Sequence, residues 1–284
     1  MWNVYAGQAA LKDPASTIPA SKFLMIHRAV LDRCDGLDGL KDGLIGDPSR
    51  CSFDFKSLAC SGEDSLPHRC TGGHGPDADE SGGRSEKRRH DLSRSRARYG
   101  ARLDDENRRA RTESIRRRLR QVRGLENPDW DWRTFDLETA VVQADRIDVI
   151  DASADLRAFI RRGGKLLLYH GWADQNFSAQ STIDYYRKVV DTIGSATPNA
   201  DSLRLFLAPG MGHCGGGERP NTFDMVSALE RWVENNQALA LIVASHSTDG
   251  KLSRTRPLCP YPQVAKHNGT GSLDEAANCR CVLP

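Results

Sequence analysis

The pattern of apolar and polar positions divides the chain into three stretches. In the first, residues 1–70, Phe23, Ile26 and Val30, with Leu24, His27 and Leu31, recur at helical spacing. Pro19 suits a first helical turn, where its missing N–H is no loss. The helix is predicted to stop near Cys34, where Asp/Gly-rich sequence takes over. The third stretch, residues 125–284, reads as α/β. Lys165-Leu-Leu-Leu-Tyr, after Gly163-Gly164, is an apolar run suited to a buried strand. Ile183, Tyr186, Val190 and Ile193 mark one face of a helix, with Ser178 as its N-cap and Gly194 as its C-cap. Leu203-Arg-Leu-Phe-Leu is a second strand. Met225, Val226, Leu229, Trp232 and Val233 form a further helix opening at Asn221. Strand, helix, strand, helix implies parallel pairing. Leu241 to Ala244 and Leu252 to Pro257, around Asp249-Gly250, predict a hairpin or an extended excursion.

The middle stretch, 71–124, has as large apolar residues only Leu92, Tyr99, Leu103, Ile115, Leu119 and Val122. So few cannot offset the entropy of ordering more than about fifty residues, and disorder is the expectation. Between Arg84 and Arg123 stand 16 Arg/Lys against 6 Asp/Glu, so the formal charge of +2 hides a strongly basic segment in an otherwise acidic chain. Runs such as Glu86-Lys-Arg-Arg-His lack interleaved aromatics and any recognised module around them. A solvated run is expected there, not a nucleic-acid interface. No stretch approaches the ~18 consecutive apolar residues that a membrane helix needs.

Eight cysteines in 284 residues, none in a CxxC pair, argue against a zinc ribbon and for disulfides formed in an oxidising compartment. The sequons Asn176-Phe-Ser and Asn268-Gly-Thr are compatible with secretion, although Met1-Trp-Asn-Val-Tyr is not a signal peptide.

Both predicted strands end in polar residues. The first runs into His170-Gly-Trp-Ala-Asp174 and the second into Ala208-Pro-Gly-Met-Gly-His213-Cys214. Functional residues of open parallel sheets gather at the carboxyl ends of strands. An Asp after one strand and a His after the next is the order of the last two members of an α/β-hydrolase triad. An Asp turning a loop and a His satisfying backbone would look the same. No serine has Gly at both −2 and +2; Cys60-Ser61-Gly62 follows no strand, and Cys70-Thr-Gly-Gly has no serine. A second candidate is Cys34-Asp35-Gly-Leu-Asp38-Gly-Leu40-Lys-Asp42-Gly-Leu44-Ile-Gly-Asp-Pro. Three carboxylates interleaved with glycines can wrap a hard cation. Their spacing excludes an EF-hand, and an ordinary cluster of Asp-Gly turns is the alternative.

Together these motifs resemble the tannase and feruloyl esterase family. The pieces occur in order: Ile18-Pro-Ala-Ser-Lys22, the Cys34–Asp47 loop, Asn127-Pro-Asp-Trp-Asp-Trp-Arg-Thr-Phe-Asp136, the Gly163–Asp174 segment, Pro209-Gly-Met-Gly-His-Cys214 and Arg256-Pro-Leu-Cys-Pro-Tyr-Pro262. The resemblance implies a partial α/β-hydrolase, a parallel sheet with flanking helices over 125–284. Residues 1–70 would be part of an inserted calcium-binding lid, and 71–124 a disordered Arg-rich segment. It makes Asp174 and His213 the catalytic Asp and His, and gives Ca2+ the side chains of Asp35, Asp38 and Asp42 and the carbonyls of Leu40 and Leu44. The implied activity is serine-dependent hydrolysis of aromatic-acid esters by a secreted enzyme. The family's Cys-Ser-x-Gly-Gly elbow is not in this sequence, so the chain is expected to be truncated and inactive by itself. It would then self-associate through an exposed sheet edge or Cys214. A non-catalytic, calcium-stabilised fragment or binding module is the competing reading. The resemblance also implies disulfides Cys34–Cys51, Cys60–Cys70 and Cys259–Cys281, with Cys279 able to replace Cys281, and a partner for Cys214 beside the nucleophile. Recognisable sequence resumes abruptly at Glu126-Asn-Pro-Asp-Trp. A reading-frame shift before it is a hypothesis that reading the nucleotide sequence in the other frames would test.

Overall fold

The computed structural model describes residues 18, 20–58, 134–147, 152–194, 202–217 and 219–284. The chain forms two compact units, Met1–His27 with Asp54–Ile150, and Arg28–Phe53 with Asp151–Pro284. The expected disorder over 71–124, the bond between Cys60 and Cys70 and the role of Pro19 all fall outside the described residues.

The first unit contributes the start of helix α1 (Ala20–Cys34), a 3-10 turn at Phe55–Leu58 and helix α2 (Leu137–Ile147). Asp136 caps α2 by accepting the Thr139 N–H at 2.7 Å, and hydrogen bonding to the Thr139 side chain, then to its N–H, holds the Asp136 carboxyl below the usual carboxylate range. Phe23 and Leu24, assigned to an apolar face by their spacing, are exposed.

The second unit is built on two parallel strands, β1 (Leu166–Gly171) and β2 (Leu203–Ala208), paired in register from Leu166↔Leu203 to Gly171↔Ala208. Between them runs helix α4 (Ala179–Ile193), preceded in the chain by the short helix α3 (Arg157–Arg161). The Ser178 hydroxyl accepts from the Gln180 N–H, and Gly194 closes α4 at φ +69°, as the sequence led us to expect.

Strand β2 is covered on both faces. Leu203 packs with Ile160, Val189 and Ile193. Phe206 and Ala208 pack with Met211, Ala228, Ile242, Ala244 and Leu258. Burying a side chain of the size of Leu or Phe contributes about 1.5–3 kcal/mol, so this strand is the anchor of the unit. Strand β1 departs from the expectation of a buried strand. Its three leucines are half-buried and Tyr169 is exposed, because β2 is its one strand partner among the described residues.

Helix α5 (Met225–Asn235) is capped by Asp224, not Asn221, through the Ser227 N–H at 2.9 Å. It buries Ala228 and Trp232 but leaves Val226 and Val233 exposed. Strands β3 (Ile242–Thr248) and β4 (Lys251–Leu258) form the predicted hairpin. Asp249 and Gly250 turn it, both at positive φ, as a two-residue turn between twisted strands requires. A last antiparallel pair, β5 (Val264–His267) and β6 (Cys279–Val282), is tied back by the Cys259–Cys281 disulfide. The second disulfide, Cys34–Cys51, closes the Asp/Gly-rich loop. For a loop of about that length such a link restricts the unfolded chain by roughly 3 kcal/mol.

Candidate active site

The carboxyl ends of β1 and β2 are fastened together by backbone. The Trp172 N–H donates to the Ala208 carbonyl at 3.0 Å and the Ala173 N–H to the Met211 carbonyl at 2.9 Å. This closeness requires Gly171: a Cβ there would press on the Met211 carbonyl and lie 2.7 Å from the Gly212 oxygen. The loop after β2 bends through Gly210, Gly215, Gly216 and Gly217, all at positive φ, and Cys214 shares that conformation at φ +58°. A non-glycine residue so placed is uncommon, and this one follows His213 directly.

These two loops bring Asp174 and His213 together from 39 positions apart, with Nδ1 of His213 donating to Oδ2 of Asp174 at 2.8 Å. The other oxygen, Oδ1, accepts the Asn176 and Phe177 N–H groups at 2.7 and 3.0 Å. Burial works to raise the Asp174 carboxyl. The hydrogen bonds from His213 and from the Phe177 and Asn176 N–H groups outweigh it, and the carboxyl lies below its ordinary value. A carboxylate so held fixes the imidazole in the Nδ1–H tautomer. Nε2 has no hydrogen-bond partner among the described residues. The His213 side chain is 34% exposed while Asp174 is 5% exposed, so the imidazole faces outward and the carboxylate is sealed behind it. The Phe177 ring lies against the imidazole, centroids 5.4 Å apart. Sequence reasoning paired Asp174 with His213 but gave no role to His170, whose Nε2 lies 3.2 Å from the same Asp174 oxygen.

The acidic loop is built differently from a simple cation cage. The Asp35 carboxylate accepts the Gly43 and Leu44 N–H groups. Asp38 and Asp42 each give one oxygen to the loop's own backbone, at Leu40 and Leu44. Their other oxygens meet Arg256, at 3.1 and 2.7 Å, with the guanidinium itself only 4% exposed. Arg254 stands 3.5 Å from Asp42 and also pairs with Asp274. Among the described residues no three acidic side chains converge as a ready metal-binding group. The donor set nevertheless suits a hard cation. Every donor is an oxygen, Asp38 and Asp42 meet guanidiniums while Asp35 meets only backbone N–H groups, and the carbonyls of buried Leu40 and Leu44 accept no hydrogen bond from a described residue. Burial raises the Asp38 carboxyl; the Leu40 N–H and Arg256 draw it down, and Asp42 and Asp35 push it up again, so on balance it stands above its usual value. Arg219 joins this loop to the His213 loop by donating to the Gly43 carbonyl at 2.5 Å.

Cys214 is an exposed free thiol and Cys279 a half-buried one, the bond to Cys259 having gone to Cys281. Burial raises the Cys279 thiol, Arg256 lowers it and Asp42 and Asp38 raise it, for a net upward displacement.

Comparison with known proteins places the chain among esterases. Over 136 residues, 46% of this chain and 22% of the other, it is 48% identical to the mono(2-hydroxyethyl) terephthalate hydrolase of Piscinibacter sakaiensis. It is 31% identical to an uncharacterized esterase of Xanthomonas campestris pv. campestris, across 98% of this chain and 58% of that one. The crystal structure of feruloyl esterase B from Aspergillus oryzae superposes with a TM-score of 0.70 at 20% identity, covering 99% of this chain and 60% of that one. The chain thus spans less than two thirds of each. The profile described as tannase and feruloyl esterase matches residues 1–75 and 109–282, leaving a gap inside the Arg-rich stretch. With most of its length matched, and with Asp and His joined at the ends of successive parallel strands, the chain belongs to the tannase and feruloyl esterase family.

Proposed function

We propose that His213 is the general base, and then the general acid, of a serine carboxylic-ester hydrolase acting on aromatic-acid esters, with Asp174 as the carboxylate that orients it. The observation that carries this is the 2.8 Å bond between His213 Nδ1 and Asp174 Oδ2, which leaves Nε2 directed away from the carboxylate and accessible. In that role Nε2 takes the proton of an attacking serine hydroxyl as Oγ bonds to the ester carbonyl carbon. The imidazolium, stabilised by Asp174, then gives the proton to the departing alcohol. Water enters by the same route, losing its proton to His213, and releases the aromatic acid as the serine takes that proton back.

The serine belongs to the Cys-Ser-x-Gly-Gly elbow that the resemblance implies and this sequence does not contain. The chain by itself is therefore read as inactive. Residues 125–284 are assigned to the catalytic domain and 1–70 to the lid. The acidic loop is assigned to Ca2+, held by Asp35, Asp38 and Asp42 with the carbonyls of Leu40 and Leu44. A bound ion would neutralise charge that the two arginines leave uncompensated, and takes no part in the proton transfers. Two disulfides favour an oxidising, extracellular location. Among the described residues no helix is long and apolar enough to cross a membrane.

The test is to fuse the chain behind the N-terminal part of the Xanthomonas esterase, which matches it across 98% of its length, choosing a portion that carries the elbow. Hydrolysis of methyl ferulate by the fusion and not by the chain alone supports the assignment. A folded fusion that hydrolyses only p-nitrophenyl acetate would contradict the aromatic-acid substrate class.

A further inference from the structure

We propose that His170 is a positioning residue for the Asp174–His213 pair, an inference that rests on the catalytic reading of that pair. His170 is the next-to-last residue of β1, and its ring is held at both nitrogens. Nδ1 lies 2.7 Å from the Thr182 hydroxyl of helix α4, and Nε2 lies 3.3 Å from the Phe177 carbonyl and 3.2 Å from Asp174 Oδ2.

In the neutral ring these partners fix the tautomer. Nε2 faces a carbonyl and a carboxylate, which only accept, so Nε2 carries the hydrogen. Nδ1 is then the acceptor, and the Thr182 O–H donates to it. The result is an N–H that donates to the Phe177 carbonyl and keeps the positive edge of the ring 3.2 Å from the Asp174 oxygen that also serves His213.

The two imidazoles around Oδ2 are unequal. The His170 side chain is 13% exposed and tied to a strand, a helix and the turn between them. His213 has Asp174 as its one hydrogen-bond partner among the described residues and sits on a glycine-rich loop. A carboxylate can rotate about Cβ–Cγ, and the side with the firmer neighbour decides where its oxygens rest. Backbone N–H groups anchor Oδ1, and His170 backs Oδ2 from the buried side. The free His213 ring then meets a fixed acceptor and keeps a single tautomer with Nε2 unprotonated.

The experiment uses the full chain labelled with 15N-histidine, reading the His213 ring nitrogens and the low-field Nδ1 proton, assigned by its loss in His213→Gln. In His170→Leu we expect that proton to exchange about ten-fold faster, the size of one lost charge-assisted contact, and both tautomers to be seen. His170→Gln, whose side-chain N–H can reach the same oxygen, should restore the wild-type signature. If His170→Leu fails to fold, Thr182→Val frees the His170 ring from the helix and should move the same signals the same way. Unchanged His213 signals in a folded His170→Leu or Thr182→Val chain would overturn the proposal, as would a His170→Gln variant that behaves like Leu. Because nothing here depends on turnover, an inactive fusion would count against the esterase reading and leave this result standing.

Discussion

The Ala173 N–H donates to the Met211 carbonyl, a 2.9 Å bond that ties the Asp174 loop to the His213 loop one residue before Asp174 and two before His213. The pair's geometry is thus set by backbone, and the side chains complete it. Gly171 makes the approach possible. Gly171→Ala should destabilise the chain by about 1–3 kcal/mol, the usual consequence of forcing a methyl group into a packed position, measured by urea unfolding. Wild-type stability in that variant would mean that the two loops are not pressed together.

Acid sensitivity should follow from Asp174. Its carboxyl lies below the ordinary value in the folded chain. Its stabilising contribution is therefore full above the unfolded value, near pH 3.9, and is lost as pH falls through the lower folded value. Asp174→Asn should remove this part of the acid limb of the stability curve, as read by fluorescence unfolding between about pH 2 and 6. Superimposable acid limbs would show that Asp174 is not held ionised by its neighbours.

The acidic loop has two ways to balance its charge, and Arg256 separates them. Arg256→Gln leaves Asp38 and Asp42 without their shared buried partner, and in chelator should cost about 3–5 kcal/mol. If the loop is a calcium site, added Ca2+ should raise the melting temperature of wild type and raise that of Arg256→Gln by more. Asp38→Ala with Asp42→Ala should abolish the increment. Melting curves indifferent to Ca2+ and chelator in all three proteins would leave the arginines as the loop's sole counter-charges.

How much of this was legible in the sequence depended on range. Asp174 and His213 could be paired because each closes a strand whose apolar run is local. Arg256 could not be matched to Asp38 and Asp42, 218 and 214 positions away, because no periodicity links a loop to a distant hairpin. The helical spacing that marked Val226 and Val233 as inward was real, but spacing cannot say which flank of an apolar face is covered; only Ala228 and Trp232 are buried there. His170 was noticed only as part of a motif, since its value lies in reaching an oxygen already in use. The short strands β5 and β6 escaped because four residues carry too little alternation to stand out.

Self-association should depend on the exposed thiol. Cys214 is accessible, whereas Cys279 is half-buried with its thiol pushed up, so Cys214 should react sooner with a disulfide reagent. Non-reducing gels should show dimers that Cys214→Ser diminishes. Undiminished dimers would shift attention to the edge of β1 that pairs with no strand among the described residues.

Asp174 and His213 are proposed to act as one catalytic pair. The most direct measurement is kcat for methyl ferulate in the active fusion, compared with its His213→Ala and Asp174→Asn variants. Both variants should fall by about 10³–10⁴-fold or more, and the double variant should fall little further, since the two residues work as a unit. A His213→Ala fusion that turns over as wild type, or two losses that multiply as independent sites do, would contradict this proposal.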